Sequence, residues 1–180
     1  GKYIKKNCGR LDILVNNAGI TLSDSSLDYS EKFWDKTNDV NIKAPFFLSQ
    51  ECAKIMKLKK SGIIINITSI NAEFAFPDNP SYQVSKAGLK QLTKSLSLDL
   101  AKFGIRVNSV GPGYFHTMMT NKSWDNIKRR KLITNNTILG RWGEPKDLEG
   151  VIIFLASDAS SYITGQNIYI DGGWSVKGIK

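Results

Sequence analysis

Short apolar runs and long stretches of helical period divide this chain. Ile63 to Ile67, opened by the turn Ser61-Gly62 and closed by the hydroxyl residues Thr68 and Ser69, is a continuous apolar run suited to a strand buried on both faces. Leu11 to Val15 reads as another strand, and Lys2 to Gly9 as the tail of a helix leading into it. From Glu31 to about Lys57 the residues Phe33, Thr37, Asn41, Ala44, Leu48, Cys52 and Ile55 fall on one helical stripe. A second helix runs from Tyr82 to Phe103, with Leu89, Leu92, Leu96, Leu100 and Phe103 as its core stripe. Its Ala87, Leu98 and Ala101 form a further small apolar side, suited either to a partner helix or to packing within the chain.

Asn41 is a carboxamide in the middle of an apolar stripe, so it needs hydrogen-bond partners wherever it is buried. Pro45, four residues on, has no N–H to give to the Asn41 carbonyl. Two arrangements fit: a helix kinked at this point, or one helix ending at Asn41 and another opened by Pro45. Both leave the Asn41 carbonyl free to hold an ordered water.

Tyr82 and Lys86 are four residues apart at the start of the second helix, which places them on one face. A phenol ordinarily ionises near ~10, and a fixed ammonium beside it favours the phenolate, as acid/base work near neutral pH requires. Ser69 ends the buried strand on the side where open α/β sheets collect their ligands. The loop Asn71 to Pro80 then returns the chain to Tyr82, so Ser69 and Tyr82 can face one carbonyl oxygen.

The 180 residues are 41% hydrophobic, enough for a sizeable core. Two cysteines are too few for a disulfide scaffold and point to a reducing, cytoplasmic compartment. No apolar run approaches the ~18 residues of a membrane span. The net charge of +9 includes Lys128, Arg129, Arg130 and Lys131 in one block. Without aromatic-basic interleaving or a recognised binding motif, that surplus suits an anionic cofactor or substrate better than nucleic acid. The single His116 has no second histidine or cysteine nearby, so no metal site is expected.

The tetrad Asn41, Ser69, Tyr82 and Lys86, with its surrounding motifs, resembles the short-chain dehydrogenase/reductase family. Asp12 to Gly19 resembles the family's strand followed by Asn-Asn-Ala-Gly, Ile105 to Gly113 its next-to-last strand and Pro-Gly turn, and Gly165-Gln166 with Ile168 to Gly173 its last strand. The resemblance runs from about Leu11 to Trp174, in order. It implies an α/β fold with a Rossmann-like doubly wound parallel sheet. It also implies hydride transfer between NAD or NADP and a small carbonyl or secondary-alcohol substrate.

In that family's mechanism Tyr82 is the general acid in reduction and general base in oxidation. Ser69 orients the substrate oxygen, Lys86 holds the nicotinamide ribose and lowers the Tyr82 pKa, and Asn41 fixes the water of a proton relay. The resemblance places Asn17, Ala18, Gly19, Tyr82, Lys86, Pro112, Gly113, Phe115 and Thr117 at the cofactor. Met118, Met119 and Trp124 correspond to the family's mobile lid, with ordinary packing as the alternative. Pairing of the second helix and of Leu148 to Ala156 with Gln166 to Gly173 across two-fold axes implies a homodimer or homotetramer. The stretches Gly140 to Pro145 and Asp171 to Trp174 look most like the gluconate and 2-deoxygluconate dehydrogenase branch, acting on sugar acids or related polyols. The 3-oxoacyl-carrier-protein reductases have a very similar core.

One departure is large. The family's opening strand, its Gly-rich turn for the pyrophosphate and the acidic or basic residue that selects NAD or NADP have no counterpart here. Residues 1–180 therefore read as a single incomplete Rossmann-like domain lacking three strands. The Leu11 strand becomes an exposed sheet edge, and the piece by itself is expected to bind NAD(P) poorly. A non-enzymatic interaction fragment is the remaining alternative.

Overall fold

Strand β1 (Ile13–Asn16), β2 (Gly62–Ile67), β3 (Ile105–Pro112) and β4 (Asn167–Ile170) pair side by side in that order, all parallel. The computed structural model describes residues 8–177, so the helix tail expected from Lys2 lies outside the described residues except for Cys8 and Gly9. In-register pairs such as Val15 with Ile65 and Ile65 with Asn108 align the C-terminal ends of the strands. A parallel ladder needs crossovers, and helices supply them. The first is α1 (Glu31–Asn38) continued through a π-helical turn, Asp39–Lys43, into α2 (Ala44–Met56). Next comes α3 (Pro80–Leu100), then the short α4 (Asn121–Asp125) and α5 (Ile127–Asn136), and last α6 (Glu149–Ala156).

Alternation along β2 sends its side chains to two different cores. Ile64 packs with Cys52, Ala53, Met56, Leu96, Ile105 and Val107 under α2 and α3. Ile65 packs with Val110 and Leu155 on the opposite face, where Ile63, Ile67 and the apolar residues of α6 complete the cluster. The sheet is thus covered on both faces, which is why Ile63 to Ile67 reads as an unbroken apolar run. On α3 the expected stripe holds: Leu89 and Leu96 are buried, and Leu92, Leu100 and Phe103 pack against the same core.

The stripe expected on the first helix needs correction. After Asn41 the buried positions are Pro45, Ser49, Cys52, Ala53, Ile55 and Met56, while Ala44 and Leu48 face solvent. A π-helical turn holds more residues than an α-turn, so it carries the inward face forward by about one position. The Ala44 N–H reaches back to the Asp39 carbonyl, five residues away, at the place where Pro45 has no donor for a regular turn. The helix neither stops at Asn41 nor simply bends. It absorbs the proline through a wider turn, and Asn41 stays fully buried inside it.

β1 is the edge of the four-stranded sheet among the described residues, with Ile13 41% and Val15 40% exposed. Asp12 beside it is paired with Arg10 and Lys59, putting charge next to the open strand. At the other end of the first layer, Gly104 (φ 68°) turns the chain from α3 into β3, and a Cβ there would lie 2.1 Å from the Lys60 carbonyl oxygen.

Candidate active site at the ends of β1 and β2

The expected tetrad converges where β1 and β2 end and α3 begins. Ser69 leaves β2 in extended backbone, and its hydroxyl accepts from the Asn71 backbone N–H at 3.2 Å and from Asn71 Nδ2 at 3.3 Å. That hydroxyl stands beside Tyr82, in the first turn of α3. Burial pushes the Tyr82 phenol up from its ordinary pKa, and the Ser69 contact works against this. The direction is opposite to the one expected from a neighbouring ammonium, because desolvation dominates.

Lys86 sits one turn further along α3, with Nζ 5.6 Å from the centroid of the Tyr82 ring. It is 4% exposed, and burial lowers its pKa from 10.5 to about 8. Nζ donates to the Ile67 carbonyl at 2.7 Å. An ammonium has three donors, and among the described residues this is its one acceptor. A Cβ on Gly19 would stand 3.4 Å from Lys86 Nζ and 3.5 Å from Asn41 Oδ1. The glycine of Asn-Asn-Ala-Gly therefore keeps open the space against the ammonium.

Asn41 reaches the site with its side chain. Oδ1 accepts from the Ile20 N–H at 2.9 Å, and Nδ2 donates to the Ile20 carbonyl at 2.9 Å and to Ser85 Oγ at 3.0 Å. The carboxamide acts as a two-way clamp on the chain leaving β1. Ser85 in turn donates to the Tyr82 carbonyl at 2.8 Å. Asn41 thus ties the loop after Gly19 to the turn of α3 that carries Tyr82 and Lys86.

The other expected cofactor residues are spread more widely. Asn17 and Ala18 are exposed at the end of β1. Pro112 closes β3, and Gly113 donates its N–H to the Ile170 carbonyl at 3.0 Å. Phe115 is buried, its ring pressed against Gly143. Thr117 is exposed and caps the short turn Met118–Thr120. His116 stacks on Trp124 at 4.1 Å and 13°.

Beyond the Pro-Gly turn an aromatic wall rises beside the site. Tyr114 contacts Phe76 at 6.2 Å, Trp142 at 5.5 Å and Trp174 at 5.8 Å between ring centroids. Phe76 belongs to the loop before α3, and Gln83, next to Tyr82, holds it through bonds to its backbone N–H and carbonyl.

This arrangement can be set beside known proteins. A family model described as Enoyl-(Acyl carrier protein) reductase matches residues 2–175. The chain belongs to the short-chain dehydrogenase/reductase family. It is 42% identical over 167 residues to a 2-dehydro-3-deoxy-D-gluconate 5-dehydrogenase of Dickeya dadantii, covering 92% of this chain and 66% of that protein. It is 45% identical over 164 residues to the 3-oxoacyl-acyl-carrier-protein reductase FabG of Rickettsia felis, covering 91% and 67%. A crystal structure of a gluconate 5-dehydrogenase from Burkholderia cenocepacia, in complex with NADP and tartrate, superposes with a TM-score of 0.96 at 34% identity, covering 98% of this chain and 69% of that one. The chain spans about two thirds of the length of the curated relatives it matches.

Several polar residues that brace this candidate site were not singled out from sequence. Asn16 and Asn66 face each other across β1 and β2, and Asn16 Nδ2 donates to Asn66 Oδ1 at 2.8 Å and to Ser49 Oγ at 3.0 Å. Asn66 Nδ2 continues to Thr93 Oγ1 on α3 at 2.9 Å. This buried chain of amides and hydroxyls locks the two strand ends to the two helices that carry Asn41, Tyr82 and Lys86. Its signal was present: an asparagine near the end of each of two apolar runs, one residue type that must find a partner if both runs are buried. Ser85 and the backbone of Ile20 carry no such mark.

Proposed function

We propose that this chain carries the proton-transfer machinery of a nicotinamide-dependent oxidoreductase acting on a carbonyl or secondary alcohol, with a sugar acid or related polyol as substrate. The observation that carries the reading is the meeting of Ser69, Tyr82 and Lys86 with Gly19 and Asn41 at one end of the sheet. The residues fit a nicotinamide nucleotide: Lys86 has donors to spare, and Gly19 leaves open space against them. Lys86 would hold the ribose hydroxyls, with Asn17, Ala18 and Gly19 along one side and Pro112, Gly113 and Thr117 along another. Bound there, the nicotinamide supplies or accepts the hydride.

The chain's own residues handle the proton. A phenol with a raised pKa is protonated at neutral pH, so Tyr82 is poised to donate to a carbonyl oxygen as it gains charge. Ser69 gives that oxygen a second hydrogen bond. As the proton leaves Tyr82, the Lys86 ammonium over its ring favours the phenolate that forms. Asn41 positions these groups by clamping Ile20 and Ser85.

NAD and NADP both remain candidate cofactors, because no pyrophosphate turn or selecting residue stands in these 180 residues. Exposed Leu98 on α3 and Ile153 on α6 support association into a homodimer or homotetramer. Among the described residues no helix is long and apolar enough to cross a membrane. Free Cys8 and Cys52 support a reducing, cytoplasmic setting. The likeness to the Rickettsia felis reductase supports a second reading, reduction of a 3-oxoacyl group on a carrier protein. Purified complete protein is assayed for a nicotinamide absorbance change with gluconate-type acids and with 3-oxoacyl thioesters. Turnover that disappears in Tyr82→Phe is expected. Absence of turnover with every substrate, or full turnover by Tyr82→Phe, would sink the reading.

A further inference from the structure

Ser69 follows β2 and opens a single tight helical turn, Ile70–Ala72, that is held from several sides. Ile70 is 2% exposed and anchors the turn. The Ala72 N–H donates to the Ser69 carbonyl at 3.0 Å, and the Glu73 N–H donates to the Ile70 carbonyl at 3.0 Å. The Glu73 carboxylate accepts from Tyr169 Oη of β4 at 2.8 Å and is paired with Lys90 of α3. Asn71 sits in the middle of this turn, so its backbone and Cβ are fixed against Ser69.

The contact between the two residues decides what the serine hydroxyl can do. A hydroxyl has one O–H donor and two acceptor lone pairs. Asn71 supplies two donors to Ser69 Oγ, its backbone N–H at 3.2 Å and its Nδ2 at 3.3 Å. With both lone pairs engaged, Ser69 has only its proton left to offer. Hydrogen bonds received at an oxygen also polarise its O–H and make it a stronger donor. The orientation of the carboxamide matters here. With Oδ1 in place of Nδ2, the same side chain would accept the serine proton and keep it from any ligand.

We propose that Asn71 is a positioning residue for the reaction: by filling both lone pairs of Ser69 Oγ, it commits the serine to donate its proton to the substrate oxygen. This rests on the carbonyl and alcohol reading above and names the group that gives Ser69 its direction. In reduction, a committed donor stabilises the oxygen as it gains charge and does not draw the Tyr82 proton to itself. In oxidation, the same bond holds the alcohol oxygen while its own proton leaves. Asn71 acts through Ser69.

Asn71→Asp tests the direction, because an ionised carboxylate has the size of the carboxamide and can only accept. Initial rates of the complete protein are followed with 5-oxogluconate and with the N-acetylcysteamine thioester of acetoacetate, each reduced by NADH or NADPH. At pH 7 the kcat of Asn71→Asp is expected to fall roughly 100-fold, the loss typical of removing one donor to a developing oxyanion, with KM changed less than about threefold. A neutral carboxyl group donates as the amide does, and carboxyls ionise near ~4, so the deficit should shrink to roughly tenfold at pH 5. A purely structural defect would show no such recovery. Asn71→Ala keeps the backbone bond and should lower kcat roughly tenfold or less. Adding Asn71→Asp to Ser69→Ala should cost nothing beyond Ser69→Ala alone. An unchanged kcat in Asn71→Asp or in Asn71→Ala, a deficit that stays constant from pH 7 to pH 5, or losses that multiply in the double variant would each overturn the assignment. No turnover of either carbonyl by the unaltered protein removes the proposed function and this inference together, whereas turnover that is indifferent to Asn71 refutes this inference alone.

Discussion

Lys86 offers a direct measurement of what burial does to this site. Its ammonium is 4% exposed, and its pKa falls from 10.5 to about 8. In the unfolded chain the same group keeps its ordinary value. Between about pH 8 and 10.5 the unfolded state therefore holds a proton that the folded state has released, and the folded state gains stability as pH rises through that window. At about 1.4 kcal/mol per pKa unit, the gain from pH 7 to pH 10 is about 2 to 3 kcal/mol. Replacing Lys86 by Met removes the titrating group while keeping a chain of similar length. It also orphans the Ile67 carbonyl, which costs about 1–3 kcal/mol at every pH and so shifts the curve without tilting it. Urea unfolding of both proteins at pH 7, 8, 9 and 10 gives the comparison. The unaltered protein should gain stability relative to Lys86→Met across the series. Parallel curves would show that the ammonium is not desolvated as described, and the account of Tyr82 and Lys86 as a buried pair would fail with it.

Two further substitutions test the scaffold. Asn41→Ala removes three hydrogen bonds from a fully buried side chain and leaves both polar groups of Ile20 without partners, so a loss of about 2–4 kcal/mol is expected in denaturant unfolding, and a loss below about 1 kcal/mol would contradict the clamp. Gly104→Ala forces a side chain into a left-handed turn at φ 68° with a backbone oxygen in the way, so the melting temperature should drop by an amount matching about 2 kcal/mol or more, and an unchanged melting temperature would show the turn can relax.

Much of the fold was legible because burial writes a period into the sequence. The run Ile63 to Ile67 meets a core on each face, and Leu89, Leu92 and Leu96 keep to one side of α3. The Tyr82 and Lys86 spacing pointed to the candidate site, since a helix brings residues four apart together whatever surrounds it. The first helix was harder. Pro45 announced a disturbance near Asn41, but a missing donor can be met by a kink, a break or a wider turn, and only packing of the following residues selected the π-helical turn. The same limit applies to Asn16 and Asn66. Each is visibly a polar residue in an apolar run, yet their pairing depends on the register between two strands about fifty residues apart in the chain.

The chain by itself determined the order of strands and helices, the family they belong to, and which residues are candidates for the proposed proton chemistry, because these follow from local spacing. Tertiary structure decided the rest. It turned Asn41 into a clamp on Ile20, raised the Tyr82 phenol, lowered Lys86 to about 8 and paired Asn16 with Asn66. Hydrogen-bond partners and desolvation come from residues distant in sequence, and they exist only once the sheet and its helices have closed around them.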